Sequence, residues 1–352
     1  MEKVLTIIIP TYNMEEYLDK CLTSLIIPES SIMDKLEVLV VIDGAKDRSS
    51  EIAHSYQDRY SSTFRVIDKE NGNYGSCINR GLKEATGKYI KILDADDSYD
   101  NTVFGLYVEY LDGIEVDLVI NDLVYVNTRD VVTKPSIFKL PCNTEFDLSV
   151  FSKEMQMLYG MHRAAYKTDK LRNIHYTQTE GISYTDQEWA FTPLITVDKV
   201  AYFPHCLYRY LMGREGQTMD SKVVIRSMNH HIVGAKKMLD DYEHFTGLTI
   251  PQRSIIDYRL LLRCSKIYYS YLSISSLPLE DLIAFDDYIK VNYSSVYEHL
   301  NNCPISWLLP YKFIKHWRDY GRKDRMNRLM FYMSEFTNVL RSIKWRLITT
   351  IK

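Results

Sequence analysis

The chain has 352 residues, 46% hydrophobic and 25% charged, and its 43 Lys and Arg nearly balance 46 Asp and Glu at a formal net charge of -3. With a modestly negative mean hydropathy this is the composition of a soluble chain, and no window approaches the run of about 18 apolar residues that spans a bilayer. The N-terminus enters an apolar stretch directly, without a signal-peptide layout. The six cysteines (Cys21, Cys77, Cys142, Cys206, Cys264, Cys303) are scattered singly, away from zinc-site or redox spacing. Free thiols in a reducing cytosol are expected.

Val4-Leu5-Thr6-Ile7-Ile8-Ile9 reads as a strand buried on both faces. It ends at Pro10-Thr11-Tyr12-Asn13, after which a helical pattern turns Tyr17, Leu18, Cys21, Leu22 and Leu25 inward. Leu36 to Ile42 is a second buried strand, followed by Asp43-Gly44 and a helix capped by Ser49 or Ser50. Asp47 starts the turn into that helix. A third strand, Phe64 to Ile67, leads to Asn71-Gly72-Asn73-Tyr74-Gly75 and another helix. The fourth, Lys88 to Lys91, reaches Asp94-Ala95-Asp96-Asp97. Strands and helices alternating at this spacing predict an α/β fold on a parallel sheet. In such sheets ligands gather at the carboxyl ends of the strands, where every polar cluster named here lies.

Three carboxylates within four positions repel one another unless a cation sits among them. Hard divalent ions take oxygen ligands, and Mg²⁺ is usually held by one or two carboxylates plus substrate phosphates. An Asp-x-Asp at the exit of a strand therefore points to a metal gripping a diphosphate.

Pro10-Thr11-Tyr12-Asn13, Asp43-Gly44 with Asp47, Asn71-Gly72 through Asn79-Arg80-Gly81-Leu82, Gly87-Lys88-Tyr89-Ile90 and Asp94-Ala95-Asp96-Asp97 together resemble the successive motifs of family 2 glycosyltransferases. The resemblance is strong over about the first hundred residues and thins toward residue 220. It implies a GT-A (nucleotide-diphospho-sugar transferase) fold with a mostly parallel central sheet, and sugar transfer with inversion. It places Pro10, Thr11, Tyr12 and Asn13 beside the nucleoside, with Asp43 accepting from a base, preferably uracil. Asn71, Gly72, Asn79 and Ala95 fall in the same donor-binding motifs. Asp94 and Asp96 become ligands of Mn²⁺ or Mg²⁺, Asp96 the more direct, and Asp97 orients the sugar or caps the next segment of chain. Arg80 is a phosphate candidate or a surface arginine; Ile78 stands where the family often has an arginine.

Inverting transfer needs a base for the attacking hydroxyl. Asp186, in Tyr184-Thr185-Asp186-Gln187-Glu188-Trp189, matches the family's base, although Thr185 replaces the usual Glu. Glu188 is the alternative base, or a first-turn residue favoured by the helix dipole. Cys206 to Tyr210 alternates as a strand, and Arg214 or Thr218 beyond it matches a loop that closes over the pyrophosphate in relatives, unless it is a plain hairpin. The Gln-x-x-Arg-Trp signature of processive synthases is missing, so one addition per acceptor is expected.

The catalytic domain is expected over residues 1–222, its nucleotide half to about 100 and its acceptor half beyond. A helical extension follows over 223–310, with helices at Ser227–Tyr242, Gln252–Leu272 and Leu279–Tyr293. Residues 311–352 form a basic aromatic helical tail that carries Lys312, Lys315, Arg318, Arg322, Lys323, Arg325, Arg328, Arg341, Lys344, Arg346 and Lys352 against three acids. Such a helix suits an anionic membrane surface; it lacks a nucleic-acid recognition motif, and packing on the core is the plain alternative. The expectation is a cytoplasmic enzyme, peripheral on the inner face of the membrane, open to homo-oligomerisation. It would move a sugar, from a UDP-sugar by preference, to a glycan or lipid-linked glycan in cell-surface polysaccharide synthesis such as capsule, exopolysaccharide or O-antigen. A non-catalytic nucleotide-sugar-binding or assembly subunit is the alternative, and a sugar nucleotidyltransferase fits less well.

Overall fold

The computed structural model describes residues 2–151, 159–214, 221–306, 308–326, 329–330 and 332–337. Nine strands among them form one sheet: β1 Leu5–Thr11, β2 Leu36–Asp43, β3 Phe64–Lys69, β4 Tyr89–Ile92, β5 Ser98–Tyr99, β6 Leu118–Asn127, β7 Val132–Ser136, β8 Ala164–Lys167 and β9 Val200–Met212. Their order is β3-β2-β1-β4-β8-β6-β9-β5, with β7 added to β6. The first four coincide with the apolar runs expected as strands, and β1 pairs in parallel with both β2 and β4. Chain order reverses between β1 and β4, which opens a crevice at their carboxyl ends.

Beyond β4 the sheet is mixed. β8 runs antiparallel to β4 and β6, while β9 runs parallel to β6. β9 begins upstream of the alternating stretch that marked it in sequence. Its register on β6 jumps where Asn121 faces Phe203 and Asp122 faces Cys206. Pro204 falls in that jump and has no N–H to offer the ladder.

The helices are α1 Leu18–Thr23, α2 Ser30–Met33, α3 Ser49–Arg59, α4 Asn73–Glu84, α5 Asn101–Asp112, α6 Thr168–Asn173, α7 Asp186–Trp189, α8 Ser221–Arg226, α9 Met228–His244, α10 Ile250–Ser273, α11 Leu279–Asn292, α12 Ser294–Leu300 and α13 Phe313–Asp319. The cap of α3 differs from expectation. Ser49 and Ser50 are already helical, and Asp47 accepts the Ser49 N–H at 3.0 Å instead. Ser49 Oγ accepts from the Met14 N–H at 2.8 Å, and Ser50 Oγ donates to Asp68 at 2.8 Å. Asp47 also accepts the Glu15 N–H at 2.9 Å, so this turn is fastened to the one after β1.

The sheet's helical cover depends on close backbone approach. A Cβ at Gly81 of α4 would stand 2.6 Å from the Ile8 side chain, and one at Gly75 would overlap the Thr179 carbonyl. Only glycine lets the amino end of α4 lie against the segment that leads to α7.

The chain divides into two compact units, residues 1–224 with 240–256, and residues 225–239 with 257–352. In the second, Asp286 is fully buried and accepts from Tyr268 Oη at 2.6 Å, Arg318 Nε at 2.8 Å and Arg322 Nη1 at 3.1 Å. A buried carboxylate is tolerated only when so compensated. Arg325 donates to the carbonyls of Tyr271, Ile274 and Leu277, and Phe313, Ile314 and Trp317 are buried. The described part of the expected tail is therefore packed in part: three of its arginines face protein, while Lys312, Lys315, Lys323, Tyr320 and Phe336 are exposed. Arg328, Arg341, Lys344, Arg346 and Lys352 lie outside the described residues. Among the described residues, no helix is long and apolar enough to cross a membrane.

Gly75→Ala is expected to destabilise the fold by about 1–3 kcal/mol, the usual scale for overpacking against an atom that cannot move aside. Urea unfolding of the variant reads this directly; an unchanged midpoint would show that the 178–180 segment gives way.

Candidate functional site

The ends of β1, β2 and β4, with α4, α7 and β9, enclose a cavity of about 460 Å³. Pro10, Thr11 and Tyr12 line it from β1, and Tyr12 keeps 43% of its surface exposed. Asn13 is in the left-handed region at φ 52° and accepts the Lys46 N–H at 2.8 Å, which pins the two turns together. Asparagine tolerates that conformation better than most residues.

Asp43 enters from the end of β2, where its side chain is nearly buried. Lys69 Nζ at 2.5 Å and the Gly72 N–H at 2.9 Å both donate to its Oδ1, while Asn71 Nδ2 donates to its backbone carbonyl at 2.9 Å. The Asn71-Gly72 motif thus acts on Asp43, fixing one carboxylate oxygen.

The acidic turn forms the centre. Asp94 Oδ1 accepts from Tyr74 Oη at 2.7 Å, and its Oδ2 lies 3.3 Å from His162 Nε2. Asp96 Oδ2 accepts from Arg214 Nε at 2.5 Å. Asp97 takes Tyr208 Oη on Oδ2 and the Leu211 N–H on Oδ1, each at 2.6 Å. Burial, reinforced by Asp94, pushes the Asp96 carboxyl up from its usual range against the pull of Arg214. Burial and the two neighbouring carboxylates push Asp97 well above that range. Burial and Asp94 likewise drive the Tyr74 phenol far up, so it serves as a hydrogen-bond donor across the working pH range. Asp94, Asp97 and His162 each present a ligand atom within 4.8 Å of the others, a donor set suited to a divalent ion.

On the facing wall Asp186 opens α7, with Gln187 Nε2 on its Oδ2 at 2.7 Å. Tyr184 just before it has φ 66°, a strained conformation for a bulky side chain. Thr185, which replaces the glutamate of the family pattern, is fully buried and donates to Gln178 Oε1 at 2.8 Å.

Eleven of the residues singled out in sequence line the one cavity: Pro10, Thr11, Tyr12, Asp43, Asn71, Asp94, Ala95, Asp96, Asp97, Asp186 and Arg214. Others stand behind it. Gly72 and Asn13 hold turns. Asn79 exchanges hydrogen bonds with the Gln178 backbone, at 2.9 and 2.7 Å, and reaches Glu180. Arg80 is exposed and paired with Glu84 at 3.0 Å. Glu188 is 2% exposed and accepts the Thr179 N–H at 2.8 Å, away from the cavity lining. Thr218 lies outside the described residues. Sequence reading assigned no role to His162, Tyr74 or Tyr210, which also line the cavity. His162 sits in a single 3₁₀ turn, Met161–Arg163, and no local spacing marks it.

The family model described as Glycosyl transferase family 2 matches residues 6–175. The chain is 35% identical over 119 residues to the uncharacterized glycosyltransferase EpsJ of Bacillus subtilis (strain 168), which covers 34% of this chain and 33% of the relative. It is 25% identical over 221 residues to the poly(ribitol-phosphate) beta-N-acetylglucosaminyltransferase TarS of Staphylococcus aureus (strain MW2), 62% of this chain and 37% of that protein. The matches thus span about a third of these curated relatives' length. In fold the chain is similar to the crystal structure of S. aureus TarS 1-349, with TM-score 0.62 and 18% identity over 83% of this chain and 82% of that one. The same protein in complex with UDP-GlcNAc gives TM-score 0.55 and 20% identity over 84% and 90%. The mannosyltransferase PcManGT from Pyrobaculum calidifontis, in complex with GDP-Man and Mn2+, gives 0.50 and 18% over 84% and 82%.

Proposed function

We propose that this chain, whose residues 6–175 match the model described as Glycosyl transferase family 2, is a glycosyltransferase of that family and transfers a sugar from a nucleotide-diphospho-sugar, a UDP-sugar by preference, to a hydroxyl of a glycan acceptor with inversion at the anomeric carbon. The observation that carries this reading is a single cavity lined by the Pro10–Tyr12 turn, Asp43, the Asp94–Asp97 turn and Asp186. The likeness in fold to structures holding UDP-GlcNAc and GDP-Man supports the donor class.

In this reading the nucleoside lies along Pro10 to Tyr12. Asp43 Oδ1 is held by Lys69 and Gly72, which leaves Oδ2 to accept an N–H from the base, as N3–H of uracil offers. The diphosphate comes to the acidic turn, where the donor set of Asp94, Asp97 and His162 fits a divalent ion and Asp94 and Asp96 are the pair assigned to it. Mn²⁺ or Mg²⁺ held there would supply Lewis-acid stabilisation of charge on the departing diphosphate. Asp186, across the cavity, takes the proton of the attacking hydroxyl as it meets the face opposite the leaving group. Glu188, buried on the Thr179 N–H, positions the segment.

We assign the acceptor to a lipid-linked or cell-surface polysaccharide, in keeping with the polymer-modifying activity in the name of TarS. Contact with an anionic membrane then falls to the basic residues beyond Thr337, Arg341 to Lys352.

Thermal unfolding with UDP-, GDP-, dTDP- and CDP-sugars, each with Mn²⁺ or EDTA, tests the donor assignment through ligand-linked stabilisation. One UDP-sugar should raise the midpoint only with metal, and Asp96→Asn should abolish that rise. No shift with any nucleotide sugar would favour an assembly subunit over an enzyme. Asp186→Asn should keep donor binding and lower turnover by a factor on the order of 10² or more. Glu188→Gln should instead lower stability and leave turnover of the folded protein near wild type; the reverse pattern would make Glu188 the base. Deleting residues 338–352 should release the protein from anionic vesicles in a sedimentation assay, whereas full retention would remove the membrane assignment.

A further inference from the structure

We propose that His162 is a direct nitrogen ligand of the divalent ion beside Asp94, and that it tilts the site toward Mn²⁺ over Mg²⁺; this rests on the metal-assisted transferase reading. His162 Nε2 and Asp94 Oδ2 are 3.3 Å apart. Neighbouring ligands of an octahedral ion with bonds of about 2.1 Å stand about 3 Å apart, so the two atoms already have the separation of a chelating pair.

Both groups are held in that relation from outside. Tyr74 occupies the other oxygen of Asp94 at 2.7 Å, which directs Oδ2 toward the histidine. The His162 ring meets the rings of Tyr208 and Tyr210 edge-on, at centroid distances of 4.9 and 4.8 Å. Its backbone carbonyl accepts from Lys91 Nζ at 2.9 Å. Lys91 is fully buried, and its other acceptor is Asn121 Oδ1 at 2.8 Å. An amine inside the sheet is a costly way to fix a turn, and fixing ligands by surrounding hydrogen bonds is how proteins tune metal sites. The rest of the acidic turn is also engaged: Asp96 by Arg214, and both oxygens of Asp97 by Tyr208 and the Leu211 N–H.

The ligand type sets the selectivity. Mg²⁺ keeps to oxygen and to its waters, whereas an imidazole suits transition metals. Asp94 with His162 thus disfavours Mg²⁺ relative to an all-carboxylate pair.

Electron spin-echo spectroscopy of the wild-type protein with Mn²⁺ and UDP decides this. Modulation from a directly bound ¹⁴N is expected, changing to the ¹⁵N pattern in protein labelled with [¹⁵N]histidine. His162→Asp should abolish the nitrogen signal while still binding Mn²⁺ and UDP. The ratio of Mn²⁺ to Mg²⁺ affinities, read by calorimetry with UDP, should fall by about tenfold or more. Metal-dependent UDP binding without any histidine nitrogen coupling would overturn the proposal and leave the transferase reading standing, with His162 an ion-pair partner of Asp94. UDP binding indifferent to Mn²⁺ and EDTA would overturn both.

Discussion

Three carboxylates between Asp94 and Asp97 cannot share a largely buried turn unless each is answered separately, and much of the catalytic unit is arranged to do so. Asp94 is met by Tyr74 of α4 and by His162, Asp96 by Arg214, and Asp97 by Tyr208 and the Leu211 N–H of β9. These groups come from distant parts of the sequence, so the turn joins the parallel half of the sheet to its mixed half. Removing one partner from such a cluster leaves a buried charge exposed to its neighbours, which is why these contacts act as a set. Burial and mutual repulsion hold Asp96 and Asp97 above the ordinary carboxylate range, and a divalent ion among them would relieve both effects.

Helix α4 is the second organiser. Its first turn supplies Tyr74, and Gly75 lets the backbone at Thr179 approach. Asn79 then ties down Gln178, and Glu180 completes the contact. Glu188 returns from α7 to the Thr179 N–H. The segment that presents Asp186 is therefore anchored to the same helix that fixes Asp94. In the proposed transfer, a base at Asp186 and a diphosphate at the acidic turn would have to keep their separation to well under an ångström, and one rigid element serves both.

The helical unit answers a different electrostatic problem. Arg318 and Arg322 converge on Asp286, with Tyr268 completing the set, while Arg325 caps three carbonyls around the end of α10. Charge counted along the sequence reads this stretch as a basic surface. In three dimensions these three arginines face protein groups, and the net charge of a segment is a poor guide to what it shows to solvent.

The strands β1 to β4 and the placement of Pro10–Tyr12, Asp43, Asp94–Asp96 and Asp186 were legible in the sequence. β-branched runs and strand-end polar clusters are local patterns with a direct physical cause, and the order of five motifs carried the family. The later sheet was less legible, because β8 and the start of β9 are short, unremarkable runs whose pairing with β6 is decided by contacts far apart in the chain. The same limit hid His162: a lone histidine in a short turn gains meaning only when Lys91, Tyr208 and Tyr210 set it 3.3 Å from Asp94. It also left Arg80 open between a phosphate contact and a surface position, and Glu188 between a base and a first-turn residue, since a polar side chain on a helix has no direction until the helix is packed. The sequence by itself determined the parallel, N-terminal half of the sheet and the residue types at its strand ends, through periodicity and backbone preference. Only the tertiary structure decided which charges meet, because electrostatic partners are chosen by proximity in space and by burial, neither of which is written in neighbouring residues.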